Sequence, residues 1–188
     1  ILQYIHWFFA HEVAHVFQSR DGNYVENLDE NWMGEGAANA MANQVLMHKK
    51  LADQKYIDQT YAQEFTECSA YLENNKLSDY PKSGAFNIPY ACGDLIAQIT
   101  DASLNEHTLF DFWNILFEDI GADTQYSSKD YFKTLKKLGA PMEVIEKLQT
   151  LTSEKVDDPK LFLRTLIEQS GLSAQFTSKN ELTSLQLP

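Results

Sequence analysis

The sequence predicts a mainly α-helical chain that folds as a multi-helix bundle. Apolar residues recur at helical intervals along most of the chain, glycines fall just beyond several of these segments, and no segment shows the two-residue alternation of a half-buried strand. The chain has 188 residues, and 44% of them are hydrophobic. This composition can fill one core, so we predict one domain or one lobe of a larger enzyme.

Each predicted helix has its own local signal. The first has no Gly or Pro and is apolar around most of its circumference, which is typical of a helix buried on several sides. The second is Ala-rich with a basic end, and a later helix carries Pro89 in its first turn. Gly121, Gly139 and Gly171 stand where C-terminal caps belong. The predicted helical segments are 2–19, 34–50, 56–73, one that begins at 88, 108–120, 128–138, 141–152 and 159–170, followed by a polar tail from about 173.

The charge of the chain is strongly negative. It has 15 Lys plus Arg against 27 Asp plus Glu, a formal net charge of -12. Such a surface repels a nucleic-acid backbone and an anionic membrane, so we predict neither as a partner. The most apolar stretch, residues 5–10, is far short of the roughly 20 residues of a transmembrane helix, and we predict none. Because the first residue is Ile1 rather than Met, we expect the true N-terminus to lie upstream, and the localisation stays open.

The two cysteines, Cys68 and Cys92, are too few for a disulfide scaffold or a cysteine-based metal cluster. We predict two buried thiols, with a single disulfide as the alternative.

A possible metal-binding motif occurs in the first helix, as His11-Glu12-Val13-Ala14-His15. Two histidines four residues apart project from the same helical face and can offer two ring nitrogens to one zinc ion. A zinc ion lowers the pKa of its bound water, and a neighbouring carboxylate can take the proton as that water attacks a carbonyl. The motif therefore predicts His11 and His15 as zinc ligands and Glu12 as a general base.

The sequence supplies a third ligand in Glu35, which stands between Gly34 and Gly36 at the start of the second predicted helix. Small neighbours allow close backbone approach, and a carboxylate is favoured at a helix N-terminus. The alternative is that Glu35 only complements the helix dipole. Asn39 follows one turn later on the same face; we expect a solvated or helix-packed amide, with a hydrogen bond to a ligating histidine as the alternative.

These residues resemble the zinc metallopeptidases called gluzincins, in which two histidines and a downstream glutamate bind zinc. The nineteen residues between His15 and Glu35 resemble thermolysin-type spacing. The sequence around Glu35 is more similar to that of the M1 aminopeptidases. In that group a later segment similar to Pro89-Tyr90-Ala91-Cys92-Gly93 supplies a tyrosine. The resemblance thus implies that Tyr90 donates a hydrogen bond to the oxyanion of the reaction.

The resemblance also implies how the chain is organised. Residues 1–100 would carry the zinc-site helices, and residues 101–188 would pack on the same helical lobe. The β-sheet lobe that precedes the zinc helix in gluzincins is absent from this chain and would be its partner. The expected function is a zinc-dependent, aminopeptidase-like peptidase acting on peptides or proteins. The alternative is a catalytically inactive helical module that binds another protein.

Overall fold

The computed structural model describes residues 2–188, and most of these residues are helical, which confirms the predicted α class. The helices of this part of the chain are α1 (Leu2–Gln18), α2 (Trp32–His48), α3 (Gln54–Leu72), α4 (Tyr80–Ser83), α5 (Ile88–Ser103), α6 (Leu109–Ile120), α7 (Ser128–Lys137), α8 (Met142–Ser153) and α9 (Pro159–Ser170). The short strands are β1 (Tyr24–Val25), β2 (Gln125–Tyr126), β3 (Ala174–Phe176) and β4 (Leu182–Leu185). Most boundaries lie within two residues of the predicted ones, as is usual for helix ends.

Helices α2 and α5 form the centre of the fold. They share the most extensive helix–helix contact, with α1 against the other flank of α2 and α3 against the other flank of α5. Because α2 is covered on nearly all sides, small residues suit it: six of its 17 residues are Ala or Gly, and all six are buried. One apolar core extends from Ala14 in α1 to Leu185 in β4.

The crossing of α2 and α5 depends on two glycines, Gly36 and Gly93. A Cβ atom on Gly36 would lie 2.0 Å from the carbonyl carbon of Gly93, and one on Gly93 would lie 2.3 Å from the carbonyl oxygen of Trp32. The two backbones are therefore in direct contact, which only glycine permits. This contact fixes Glu35 and Tyr90, which flank it in sequence, at the same end of the helix pair.

The prediction that α1 is buried on several sides is wrong. Only His11, Ala14 and Gln18 are buried, on the face that packs against α2. Other apolar side chains recur every three or four residues on the opposite face, where Phe9 remains 63% exposed. This exposed stripe consists of Leu2, Ile5, Phe9, Val13 and Val16. Neither α1 nor any other helix of residues 2–188 combines the length and hydropathy needed to cross a bilayer.

The C-terminal segment, which the sequence predicted as a polar tail, forms a β-hairpin. Strands β3 and β4 pair antiparallel, and β4 packs on α3 by burying Leu182 and Leu185. Backbone groups of Leu185 bond to the side chains of Gln54 and Asp58. These strands are too short and too polar to show a clear two-residue alternation, which is why the sequence did not reveal them. A second short pairing, β1 with β2, is parallel and joins the loop after α1 to the loop after α6.

The cysteines form a disulfide, so the prediction of two thiols is wrong. Cys68 of α3 and Cys92 of α5 are bonded, with their Cα atoms 5.0 Å apart. Both are fully buried where the two helices pack, and this separation is within the range that a disulfide spans. The bond anchors the N-terminal part of α5, which carries Tyr90, to α3.

Candidate metal centre

The structure brings His11, His15 and Glu35 together at the contact of α1 and α2. The histidines share one face of α1, and Glu35 stands in the first turn of α2. His15 Nε2 lies 2.9 Å from His11 Nε2 and 3.1 Å from Glu35 Oε2, and His11 Nε2 lies 3.4 Å from the same oxygen. Within residues 2–188, this is the one group of three such side chains close enough to hold a metal ion.

The spacing of the three atoms fits a tetrahedral zinc ion. With zinc–ligand bonds of about 2.0–2.1 Å, adjacent ligand atoms of a tetrahedron are roughly 3.3 Å apart. The observed separations of 2.9, 3.1 and 3.4 Å bracket this value. Three protein ligands leave a fourth position for a water or a substrate oxygen, as in catalytic zinc sites.

Hydrogen bonds to two amides set the orientation of both imidazoles. The Nδ1–H of His11 donates to Oδ1 of Asn39 at 2.8 Å, and the Nδ1–H of His15 donates to Oε1 of Gln18 at 3.0 Å. The Gln18 amide is itself oriented, because its nitrogen donates to the carbonyl oxygen of Gly34. With both Nδ1 atoms donating to amides, both Nε2 atoms point at the same place. Without a metal they hydrogen-bond to Glu35, and a cation bound there would take their lone pairs instead.

Neither of these two amides was assigned to the site from the sequence. The expected solvated or helix-packed Asn39 amide is wrong, since the side chain is buried and bonded to His11. Gln18 was not predicted at all. Its position three residues after His15, on the same helical face, was the available signal.

The charges at the centre favour an ionised carboxylate. Burial alone would raise the pKa of Glu35, but hydrogen bonds and charge from His11 and His15 outweigh it and lower the pKa to about 2. In return, the hydrogen bond with Glu35 raises the pKa of His15 against the opposing effect of burial. Asn31, at the N-cap of α2, donates to the second oxygen of Glu35 at 3.4 Å. Glu35 is thus charged and oriented at neutral pH.

Glu12 lies at the edge of this centre. Its side chain is exposed, and its carboxylate makes no hydrogen bond or ion pair with any side chain among the residues described. It is close enough for its charge to raise the pKa of both His15 and Tyr90. A carboxylate that is near the centre and otherwise uncommitted can accept a proton from a water bound there.

Tyr90 is on the other side of His11, in the first turn of α5. The two rings are stacked with centroids 6.0 Å apart, and Tyr90 is 37% exposed. Burial and the charge of Glu35 raise the pKa of Tyr90, so the phenol keeps its proton at neutral pH. Tyr90 is therefore a hydrogen-bond donor that faces the candidate metal centre, and not a packed core aromatic.

No protein family, curated protein or solved structure matches this chain. The chemistry of the site is set by its side chains, their distances and their protonation. These define three potential metal ligands, two amides that orient the histidines, an uncommitted carboxylate and a phenol around one point.

Proposed function

We propose that this protein is a zinc-dependent peptidase in which His11, His15 and Glu35 bind zinc. The observation that carries the proposal is the convergence of two Nε2 atoms and one carboxylate oxygen at the spacing of a tetrahedral ion. When bound, zinc would supply Lewis-acid chemistry by polarising a peptide carbonyl and lowering the pKa of a water. The resemblance of the HEVAH segment and Glu35 to gluzincins supports the same assignment.

In this proposal Glu12 is the general base and then the general acid. As the water oxygen bonds to the carbonyl carbon, one water proton passes to Glu12. Glu12 then delivers that proton to the departing nitrogen, so that the C–N bond breaks and an acid and an amine are released. Its exposure and its freedom from other partners in the described residues leave it available for both transfers.

Tyr90 is proposed to stabilise the negative charge that develops on the carbonyl oxygen. A donor that strengthens its hydrogen bond as this charge grows lowers the barrier more than it tightens substrate binding. The raised pKa of Tyr90 keeps its proton in place for that role.

The finer classification rests on the resemblance. We propose an aminopeptidase-like enzyme in which this chain is the helical lobe of a gluzincin catalytic domain, with a β-sheet lobe of the same protein as the other wall of the cleft. The apolar stripe on α1 supports a covering layer, because a row of exposed aliphatic and aromatic side chains is unusual on a free surface.

The same stripe favours a second candidate function, a catalytically inactive helical module that binds another protein. In that case the apolar stripe would be the functional surface, and zinc would have at most a structural role. The two functions differ in whether Glu12 matters for turnover.

The test is a Glu12→Gln substitution in the full-length protein, with zinc content and peptide hydrolysis measured together. The peptidase proposal predicts one zinc ion per chain in both proteins and a loss of about 100-fold or more in kcat for the variant. Glu154→Gln, which removes an equal charge from an exposed position, is the matched control and should keep full activity. Equal turnover in the Glu12 variant would reject its role, and zinc without turnover in the parent protein would favour the binding module.

A further inference from the structure

A cavity of about 380 Å³ opens beside the candidate metal centre, and we call it the acidic pocket. Three of its lining residues, Trp7, Asn39 and Tyr90, also surround His11. The Trp7 ring centroid is 5.4 Å from that of His11, the Tyr90 centroid is 6.0 Å away, and Asn39 is hydrogen-bonded to the imidazole. A substrate held at the metal would therefore have this cavity beside it, and its volume is in the range of small-ligand pockets.

The charged groups in the wall of the acidic pocket are carboxylates. Glu64 and Glu67 of α3 line it, and none of its described lining side chains is basic. Glu67 accepts a hydrogen bond from Asn87 at 3.0 Å. One oxygen of Glu64 is inaccessible to solvent and has no hydrogen-bond partner among the described residues. Among the described residues Glu64 has no basic partner, and a buried carboxyl group without one is costly.

Behind Glu64 is a second buried carboxyl group, that of Asp94. The two side chains are hydrogen-bonded, while Asp94 also accepts from Tyr61 at 2.8 Å and from Asn43 at 3.0 Å. Burial raises the pKa of both groups, that of Asp94 to about 7, so the pair holds at least one proton at neutral pH. The other charge acting on Glu64 is also negative, that of Glu67.

The remaining lining residues suit a long cationic side chain. The rings of Tyr4, Trp7 and Tyr56 can pack against an aliphatic stem or lie under a cation, and Thr60 and Gln63 offer further hydrogen-bonding groups. A guanidinium or an ammonium brings several donors and no acceptor, which matches a wall of carboxylates.

We propose that the acidic pocket selects substrates with a basic side chain, Arg or Lys, next to the bond that is cleaved. The inference rests on the proposed peptidase function, because it is the metal centre that places a substrate beside the pocket. The cation would lie against the accessible parts of the Glu64 and Glu67 carboxyl groups and favour their ionised forms.

The first test compares substrates that differ only in charge. Peptides identical except for Arg or its neutral isostere citrulline, at the residue on either side of the scissile bond, are hydrolysed by the zinc-loaded full-length protein. We expect kcat/KM to favour Arg by about tenfold or more at one of these positions. In Glu64→Gln the preference should fall below about threefold, while the charge-matched Glu154→Gln keeps it.

A second measurement separates failure of the pocket from failure of the peptidase function. Calorimetric binding of the Arg and citrulline peptides to zinc-loaded Glu12→Gln, with and without Glu64→Gln, needs no turnover. Tighter binding of Arg that depends on Glu64 supports the pocket even if no peptide is hydrolysed. Equal binding of the two peptides rejects the proposed selectivity of the acidic pocket, and the hydrolysis assay then tests the peptidase function separately.

Two further outcomes are decisive. If the Arg preference survives Glu64→Gln but disappears when the substrate α-amine is acetylated, the substrate charge is recognised outside the acidic pocket and the proposal is wrong.

If Glu64→Gln does not fold, Thr60→Arg places a guanidinium in the acidic pocket from its own wall. That variant should abolish the Arg preference, whereas Thr60→Met should keep it; an unchanged preference in Thr60→Arg contradicts the proposal.

Discussion

The contact between Gly36 and Gly93 predicts that two glycines flanking Glu35 respond oppositely to alanine. In Gly36→Ala the new Cβ would be 2.0 Å from the Gly93 carbonyl carbon, whereas carbon atoms pack at about 3.5 Å, so α2 and α5 must separate by roughly 1.5 Å. In Gly34→Ala the nearest atom, the Tyr126 hydroxyl oxygen, is 3.6 Å away, an ordinary contact.

The magnitudes follow from this difference. Separating the two most extensively packed helices should cost about 2–4 kcal/mol in Gly36→Ala, even after the helix propensity gained from alanine. In Gly34→Ala that propensity gain of up to about 1 kcal/mol should appear without a packing penalty. The same separation would move Glu35 away from Tyr90, and a shift of about 1 Å can cost about 100-fold in rate.

The assay is urea unfolding followed by circular dichroism for the parent protein and both alanine variants. Midpoints are compared only where the three proteins have the same m-value, the slope of the unfolding free energy against urea concentration. We expect a lower midpoint for Gly36→Ala and an equal or higher midpoint for Gly34→Ala. If the two variants unfold within about 0.5 kcal/mol of each other, the α2–α5 contact is not as close as described and the reasoning fails.

Two other predictions concern stability. Reducing the bond between Cys68 and Cys92 should lower the free energy of unfolding by about 3–4 kcal/mol, the loop-closure value for a separation of 24 residues, measured by urea unfolding with and without reductant; an unchanged midpoint would contradict it. The carboxyl pair of Glu64 and Asp94 predicts a pH effect: because the folded pKa of Asp94 is raised to about 7 from 3.8, the folded state holds extra protons between these values, and its stability falls as pH rises through that window. Glu64→Gln removes a carboxyl group whose pKa is raised by burial and by the charge of Asp94, so its stability relative to the parent protein should increase from pH 4 to pH 7 by about 1 kcal/mol or more. A pH-independent difference would contradict the raised pKa of Glu64.

Helix positions were predictable because their signals are local. The boundaries of α9, and the first turn of α5 with its Pro89, follow from spacing and capping within one segment. His11 and His15 were predictable for the same reason, since four residues of helix place them on one face. The assignment of Glu35 as a ligand also required the known motif, because local spacing alone does not show how α2 packs on α1 and brings Glu35 to the histidines.

The errors concern features that depend on tertiary packing. The apolar residues around α1 predicted burial on several sides, but the sequence does not show that only one face packs on α2 and that Phe9 and Val13 remain exposed. Nothing in the spacing of Cys68 and Cys92 indicates that α3 and α5 place them side by side. Likewise, the partner of Asn39 is 28 residues away, so its hydrogen bond to His11 appears only once both helices are in place.

X-ray absorption at the zinc edge tests most directly the proposal that two imidazoles and one carboxylate hold a zinc ion. We expect a four-coordinate ion in the zinc-loaded protein with two histidine nitrogens and oxygen ligands, all near 2.0–2.2 Å. In Glu35→Gln both imidazoles should remain while the metal is held more weakly. Zinc bound without imidazole, or a protein that retains no zinc, would contradict it.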